Sequence, residues 1–126
     1  MTAPTSVGID LIDIDRIRRA LSEHGERFLD HLLGDDERQL IATRHDKEQF
    51  LAGRFAAKEA AIKALGKYLS KRPSLAAMQI LPDQAGRPQM HWSDEVCKSL
   101  PPVTVQVSIS HERHYAIAIV ILSETI

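Results

Sequence analysis

Hydrophobic positions along the chain follow two periods, and the changes between them mark out the elements. From Phe50 onward the run F-L-A-G-R-F-A-A-K-E-A-A-I-K-A-L-G places Leu51, Phe55, Ile62, Leu65 and Leu69 at spacings of three, four or seven, which predicts a helix from Phe50 to Gly66 with one buried face. Glu59 falls on that predicted face. A carboxylate in an apolar stripe must protonate, pair or bind a metal, because an isolated buried charge is costly. Near the N-terminus, Val7, Ile9 and Leu11 alternate with Gly8, Asp10 and Ile12, which predicts a short strand buried on at least one side. Asp10 is the anomaly there, since aspartate is depleted in strands.

The remaining pattern fills in around these two stretches. Asp13 or Asp15 caps a predicted helix running through Ile17 and Leu21, with Arg16, Arg18 and Arg19 on its outer side. Gly25 interrupts it, Glu26–Leu33 predicts another helical turn or two, and Asp35 or Asp36 opens a short helix with Leu40 and Ile41 inward. Lys67–Pro73 is a basic connector. Ala77–Leu81 and Gln89–Trp92 read as weak strands joined by the turn D-Q-A-G-R-P, and Ser93 or Asp94 caps a short helix through Val96 and Leu100. Val103, Val105, Val107 and Ile109 then alternate with polar residues. Tyr115–Leu122 is almost wholly apolar, as a strand covered on both faces would be. The expected class is α+β, a small antiparallel sheet packed on one long central helix.

Composition narrows the class without changing the elements. The 126 residues, 44% of them hydrophobic, suit one domain spanning residues 1–126. A net charge of -1 gives no global bias toward nucleic acid, so any basic site is local. The single cysteine, Cys97, allows no intrachain disulfide and reads as a buried small hydrophobe. No signal peptide and no uninterrupted apolar span is evident, so a soluble cytoplasmic protein is expected, with neither nucleic acid nor membrane as partner.

The chemistry concentrates on two misplaced acids. If the strand packs on the helix, Asp10 and Glu59 converge, and like charges so placed share a proton or hold a hard cation. Two carboxylates without a His or Cys cluster suit Mg²⁺, which takes its remaining ligands from water and substrate phosphates. The competing reading has Asp10 capping a turn and Glu59 pairing with Lys63 one turn on. Arg54, Lys58, Lys63 and Lys67 flank Glu59, and Lys71, Arg72 and Arg87 follow in the connectors; such cations suit a polyphosphate, while singly each reads as solvated surface. His111 and His114 frame a polar turn, with His111 a candidate phosphate donor.

G-I-D-L-I-D-I-D-R-I and R-F-A-A-K-E-A-A-I-K-A-L resemble the two signature motifs of the holo-acyl-carrier-protein synthase family, the small 4′-phosphopantetheinyl transferases. The ending V-S-I-S-H-E-R-H-Y-A-I-A-I-V-I and the G-R-P turn are similar to that family's C-terminal hairpin and G-K-P. The resemblance implies the family's α+β fold and transfer of the 4′-phosphopantetheine arm of coenzyme A to a serine of an apo acyl carrier protein. It implies Asp10 and Glu59 as Mg²⁺ ligands that also serve catalysis, and Lys63 as the cation on the leaving phosphate. A metal-bound water is the first choice of base, with Glu59 second. Arg54, Lys58, Lys63, Gly86, Arg87, Pro88 and His111 would hold coenzyme A, and Arg16 and Arg27 the acidic carrier. A homotrimer with active sites between subunits is implied as well. The chain departs from the family after Gly66, where K-Y-L-S-K-R-P replaces a G-x-G turn; Lys67, Lys71 or Arg72 then replaces backbone contacts to phosphate. That departure keeps open an alternative, a non-catalytic module of the same fold that binds a carrier protein or nucleotide.

Overall fold

Asp13 ends the first strand and starts the first helix, its Oδ1 accepting the N–H of Asp15 at 2.9 Å. The computed structural model describes residues 2–125. In chain order they form β1 (Thr2–Asp13), α1 (Ile14–His24), α2 (Glu26–Leu32), α3 (Asp35–Ile41), α4 (Lys47–Leu65), a 3₁₀ turn (Leu75–Ala77), β2 (Met78–Pro82), β3 (Pro88–Trp92), α5 (Asp94–Lys98), β4 (Val103–His111) and β5 (Tyr115–Thr125). β5 is central in an antiparallel sheet of order β1-β5-β4, and β2 and β3 form a separate hairpin.

Helix α4 lies across that sheet on small residues. Ala56, Ala57, Ala60, Ala61 and Ala64 are fully buried, and opposite them β5 presents Ala116, Ala118, Val120 and Leu122. The approach is closest at Gly8, where a Cβ would stand 1.8 Å from the carbonyl oxygen of Ala60. Only a residue without a side chain fits there. Ser6 locks the next turn, its hydroxyl donating to the Ala64 carbonyl at 2.6 Å.

Two expectations about faces change. Of the expected buried face, Leu51 and Leu65 are buried, while Phe55, Glu59, Ile62 and Leu69 are only partly so, because the close approach of β1 at Gly8 selects alanine over bulk. Strand β1 turns Gly8, Asp10 and Ile12 toward the helix, and its apolar set faces outward: Val7, Ile9 and Leu11 are 60%, 54% and 61% exposed. Tyr115 and Ile117 share that outer face, so within one chain β5 is covered on one side only.

A buried ion pair ties the helix to the other elements. Lys58 and Glu37 are both fully buried and 2.6 Å apart. Glu37 also accepts the N–H of Gly34 at 3.1 Å and of Ile80 at 3.0 Å, while Lys58 donates to the Leu32 carbonyl at 2.5 Å. Burial pulls the Lys58 ammonium below its ordinary pKa, and the Glu37 charge opposes that pull. One pair thus joins α4, the α2–α3 loop and β2.

Gly8→Ala is expected to lower stability by about 3 kcal/mol, since an added methyl meets helix backbone that cannot yield; urea unfolding reads this as a lower midpoint at unchanged slope. Lys58→Met is expected to cost about 3–5 kcal/mol by stranding the Glu37 carboxylate. A loss under roughly 1 kcal/mol, the scale of a surface pair, would contradict a core role for Lys58.

Candidate functional site

The seam between β1 and α4 carries the two acids singled out by the pattern. Asp10 follows Gly8 by two residues on the inward face of β1, and Glu59 precedes Ala60, the residue against which Gly8 rests. Lys63, one turn beyond Glu59, reaches across the seam to Asp10 Oδ1 at 3.2 Å and to the Ile9 carbonyl at 2.8 Å. It does not take Glu59, which instead accepts from Arg72 at 2.7 Å. The acids are largely sheltered, with side chains 19% and 20% exposed, and their cations are open at 56% and 60%. This is a pair of half-buried oxygen donors beneath mobile positive charge.

That donor set fits a small hard cation. No cluster of three His, Cys, Asp or Glu side chains exists among the described residues, so a fully protein-ligated zinc-type site is not built here. Two carboxylates that leave most positions to water and phosphate are the arrangement Mg²⁺ favours. Each carboxylate is paired with a cation of its own chain, Asp10 with Lys63 and Glu59 with Arg72.

A second group gathers where α4 begins. The guanidiniums of Arg44 and Arg54 lie 4.9 and 4.2 Å from the Phe50 ring centroid. Arg44 also grips both carboxylate oxygens of Asp46 at 2.8 and 2.7 Å. The hydrogen bond from Arg44 holds Asp46 below its ordinary pKa, with a smaller contribution from His111 at the end of β4. Burial pushes Arg54 down to about 10, so it stays charged at neutral pH. Its Nη2 donates to the Ile80 carbonyl at 3.2 Å, and its Nε is buried without a partner among the described residues. Arg44, Arg54 and His111 therefore concentrate positive charge and donors at one place.

Not every expected contact forms. Lys58 is corrected outright: it was expected along the coenzyme A side, but it is fully buried against Glu37 and carries no accessible charge. Cys97 is exposed, not buried, because α5 turns it outward. Gly86, Arg87 and Pro88 lie on the β2–β3 turn, which closes through the Asp83 N–H donating to the Arg87 carbonyl at 2.8 Å and needs a φ of 83° at Gly86. Arg87 is exposed and forms no ion pair among the described residues. Arg16 rests 5.7 Å from the Phe55 ring, one turn before Glu59. Arg27 borders a shallow hollow of about 400 Å³ with His24, Phe28 and His31. Neither forms an ion pair among the described residues, whereas Arg18 is tied to Asp15 and Glu48.

Arg44 was missed by the sequence reading. The signal available was an arginine two residues before the helix-opening acid, a spacing that lets it fold back on the first turn.

Residues 6–120 match the family model of the 4′-phosphopantetheinyl transferase superfamily. The holo-[acyl-carrier-protein] synthase of Chlorobium chlorochromatii is 42% identical over 117 residues, covering 92% of this chain and 98% of that one. The crystal structure of the Neisseria meningitidis holo-[acyl-carrier-protein] synthase matches with a TM-score of 0.86 at 28% identity, over 95% of this chain and 98% of that one. That of the Bacillus anthracis synthase, in complex with CoA (3′,5′-ADP), matches with a TM-score of 0.79 at 32% identity, over 97% and 98%. The chain belongs to the 4′-phosphopantetheinyl transferase superfamily.

Proposed function

We propose that this superfamily member moves the 4′-phosphopantetheine arm of coenzyme A onto a serine of an apo acyl carrier protein and releases adenosine 3′,5′-bisphosphate. It is a holo-[acyl-carrier-protein] synthase in activity, as its relatives are by name. The observation that carries this reading is the β1–α4 seam, where Lys63, one turn beyond Glu59 on α4, reaches Asp10 on β1. We read residues 1–126 as one transferase domain working in the cytoplasm.

Residue roles follow from the charges. Asp10 and Glu59 would hold Mg²⁺, which when bound would withdraw charge from the diphosphate. Lys63, already anchored on the Ile9 carbonyl and Asp10, is aimed along the seam and meets the negative charge that grows on the departing phosphate. The serine oxygen bonds to the β-phosphorus as the bond to the bridging oxygen breaks, that oxygen leaving with adenosine 3′,5′-bisphosphate, and the serine proton passes to a water beside Glu59, with Glu59 itself the second choice of base. Arg44, Arg54 and His111 suit a phosphate of the nucleotide, for which a guanidinium with an unused buried donor is well made. Gly86, Arg87 and Pro88 would shape a loop against the nucleotide. Arg16 and Arg27, without ion pairs among the described residues, suit an acidic carrier surface, and Arg16 packs on Phe55, one turn before Glu59.

The outward face of the sheet supports a homotrimer. Val7, Ile9, Leu11, Tyr115 and Ile117 form one contiguous exposed apolar surface on β1 and β5, too large to be left to water. Identical sheets that meet around a threefold axis would cover it and set the seam of one protomer beside the surface of the next.

With purified chain, coenzyme A and Mg²⁺, an apo carrier protein is expected to gain one phosphopantetheine, read by intact mass. Asp10→Ala and Glu59→Ala are each expected to slow this at least about a hundredfold while far-UV circular dichroism stays native; near-normal turnover in either would end the metal assignment. Ile9→Glu is expected to convert a trimer into monomers by sedimentation velocity, and a monomeric parent chain would dismiss the assembly.

A further inference from the structure

Two backbone donors of the connector after α4 are engaged in its own turn. Gly66 keeps a right-handed conformation, with φ of -56°, so the chain leaves the helix in a tight turn. The Leu65 carbonyl accepts the N–H groups of both Tyr68 at 2.8 Å and Leu69 at 2.9 Å. An open glycine turn would aim such groups at an anion; here they are already engaged.

Three cations follow, and the geometry separates them. Lys67 donates to the Thr5 carbonyl at 3.3 Å and lies 5.7 Å from the Tyr68 ring, whose hydroxyl is 2.7 Å from that of Thr5. These contacts staple the turn to β1. Lys71 is exposed and forms no ion pair among the described residues. Arg72 alone returns to the seam, placing Nη2 on Glu59 Oε1 at 2.7 Å across thirteen residues of sequence. Pro73 behind it restricts its backbone to extended conformations.

Arg72 is also free to leave. Its side chain is 60% exposed, and it borders an open hollow of about 370 Å³ that Lys71, Ser70, Ser74 and Ser99 also line. An exposed ion pair of this kind is weak, so breaking it forfeits little. A guanidinium also suits two phosphate oxygens at once, which an ammonium does not.

We propose that Arg72 is a substrate ligand of the transfer site, parked on Glu59 until the diphosphate of coenzyme A arrives and then exchanged onto its oxygens. This rests on the transferase reading above. Arg72 takes over the phosphate contact that a second glycine would give, and until the exchange it holds the carboxylate against a divalent ion. The sign of its effect on the site therefore reverses with coenzyme A: Arg72 competes with the ion for Glu59 in the free protein and assists it in the ternary complex.

The test compares the full chain with Arg72→Gln and Arg72→Lys. Mn²⁺ binding is followed by loss of the free-ion electron paramagnetic resonance signal, and coenzyme A binding in the presence of Mn²⁺ by titration calorimetry. Arg72→Gln is expected to bind Mn²⁺ about tenfold more tightly without coenzyme A, and coenzyme A about tenfold more weakly with the ion present. Arg72→Lys is expected to fall between the two chains in both measurements. If Arg72→Gln changes neither affinity, or moves both in one direction, Arg72 only tethers the connector and the proposal fails. If the parent chain binds no coenzyme A, the transferase reading fails first and takes this proposal with it.

Discussion

The contact between Gly8 and the Ala60 carbonyl sets the geometry of the rest of the molecule. A strand that touches helix backbone directly fixes the separation of the two elements to within a few tenths of an ångström, because nothing soft lies between them. That contact dictates the alanine face of α4, the small residues on β5 opposite it, and the position of Asp10 two residues further along the strand. Glu59 sits beside the contact on the helix. The two acids thus share a seam whose width is fixed by backbone rather than by side chains that hop between rotamers.

Charge is arranged around this seam in two different ways. Lys58 and Glu37 are sealed together in the core, where neither is available to a ligand and each depends on the other. One turn along the same helix, Glu59 and Lys63 face opposite partners, Arg72 and Asp10, at the edge of solvent. The first arrangement holds elements together, and the second leaves every member able to change partners. Adjacent residues of the K-E pair therefore differ in surroundings, one sealed in the core and one at the edge of solvent, because the helix turns them about 100° apart.

Element positions were largely legible in the sequence, since capping acids, glycine breaks and the switch from a helical to an alternating period are local signals. The choice of face was not. Val7, Ile9 and Leu11 alternate as buried residues do, and alternation gives the period without naming the surface that does the covering. Phe55, Glu59 and Ile62 keep the period of an inward face, yet the close approach of β1 at Gly8 puts alanines against the sheet, and of the expected face only Leu51 and Leu65 are buried. Lys58 was misassigned because a lysine beside a candidate ligand looks functional until its burial is known. The partner of Glu59 lies in a connector with no periodicity, so among three nearby cations only the folded path separates Arg72 from the others.

The register of the sheet also governs the order in which the site comes into existence. Among the described residues, strand β1 pairs with β5 alone, from Thr2 against Thr125 to Asp13 against Tyr115, so nearly all of them lie between the two partners. During synthesis the first strand waits, unpaired, until the last has left the ribosome. Loops this long close slowly, and contacts so distant in sequence come late in folding. Helix α4 is complete well before that moment, holding Glu59 and Lys63 ready while Asp10 still hangs on an unpaired strand. On a fragment that ends before β5, strand β1 has no strand to pair with, and the seam lacks the sheet that backs it.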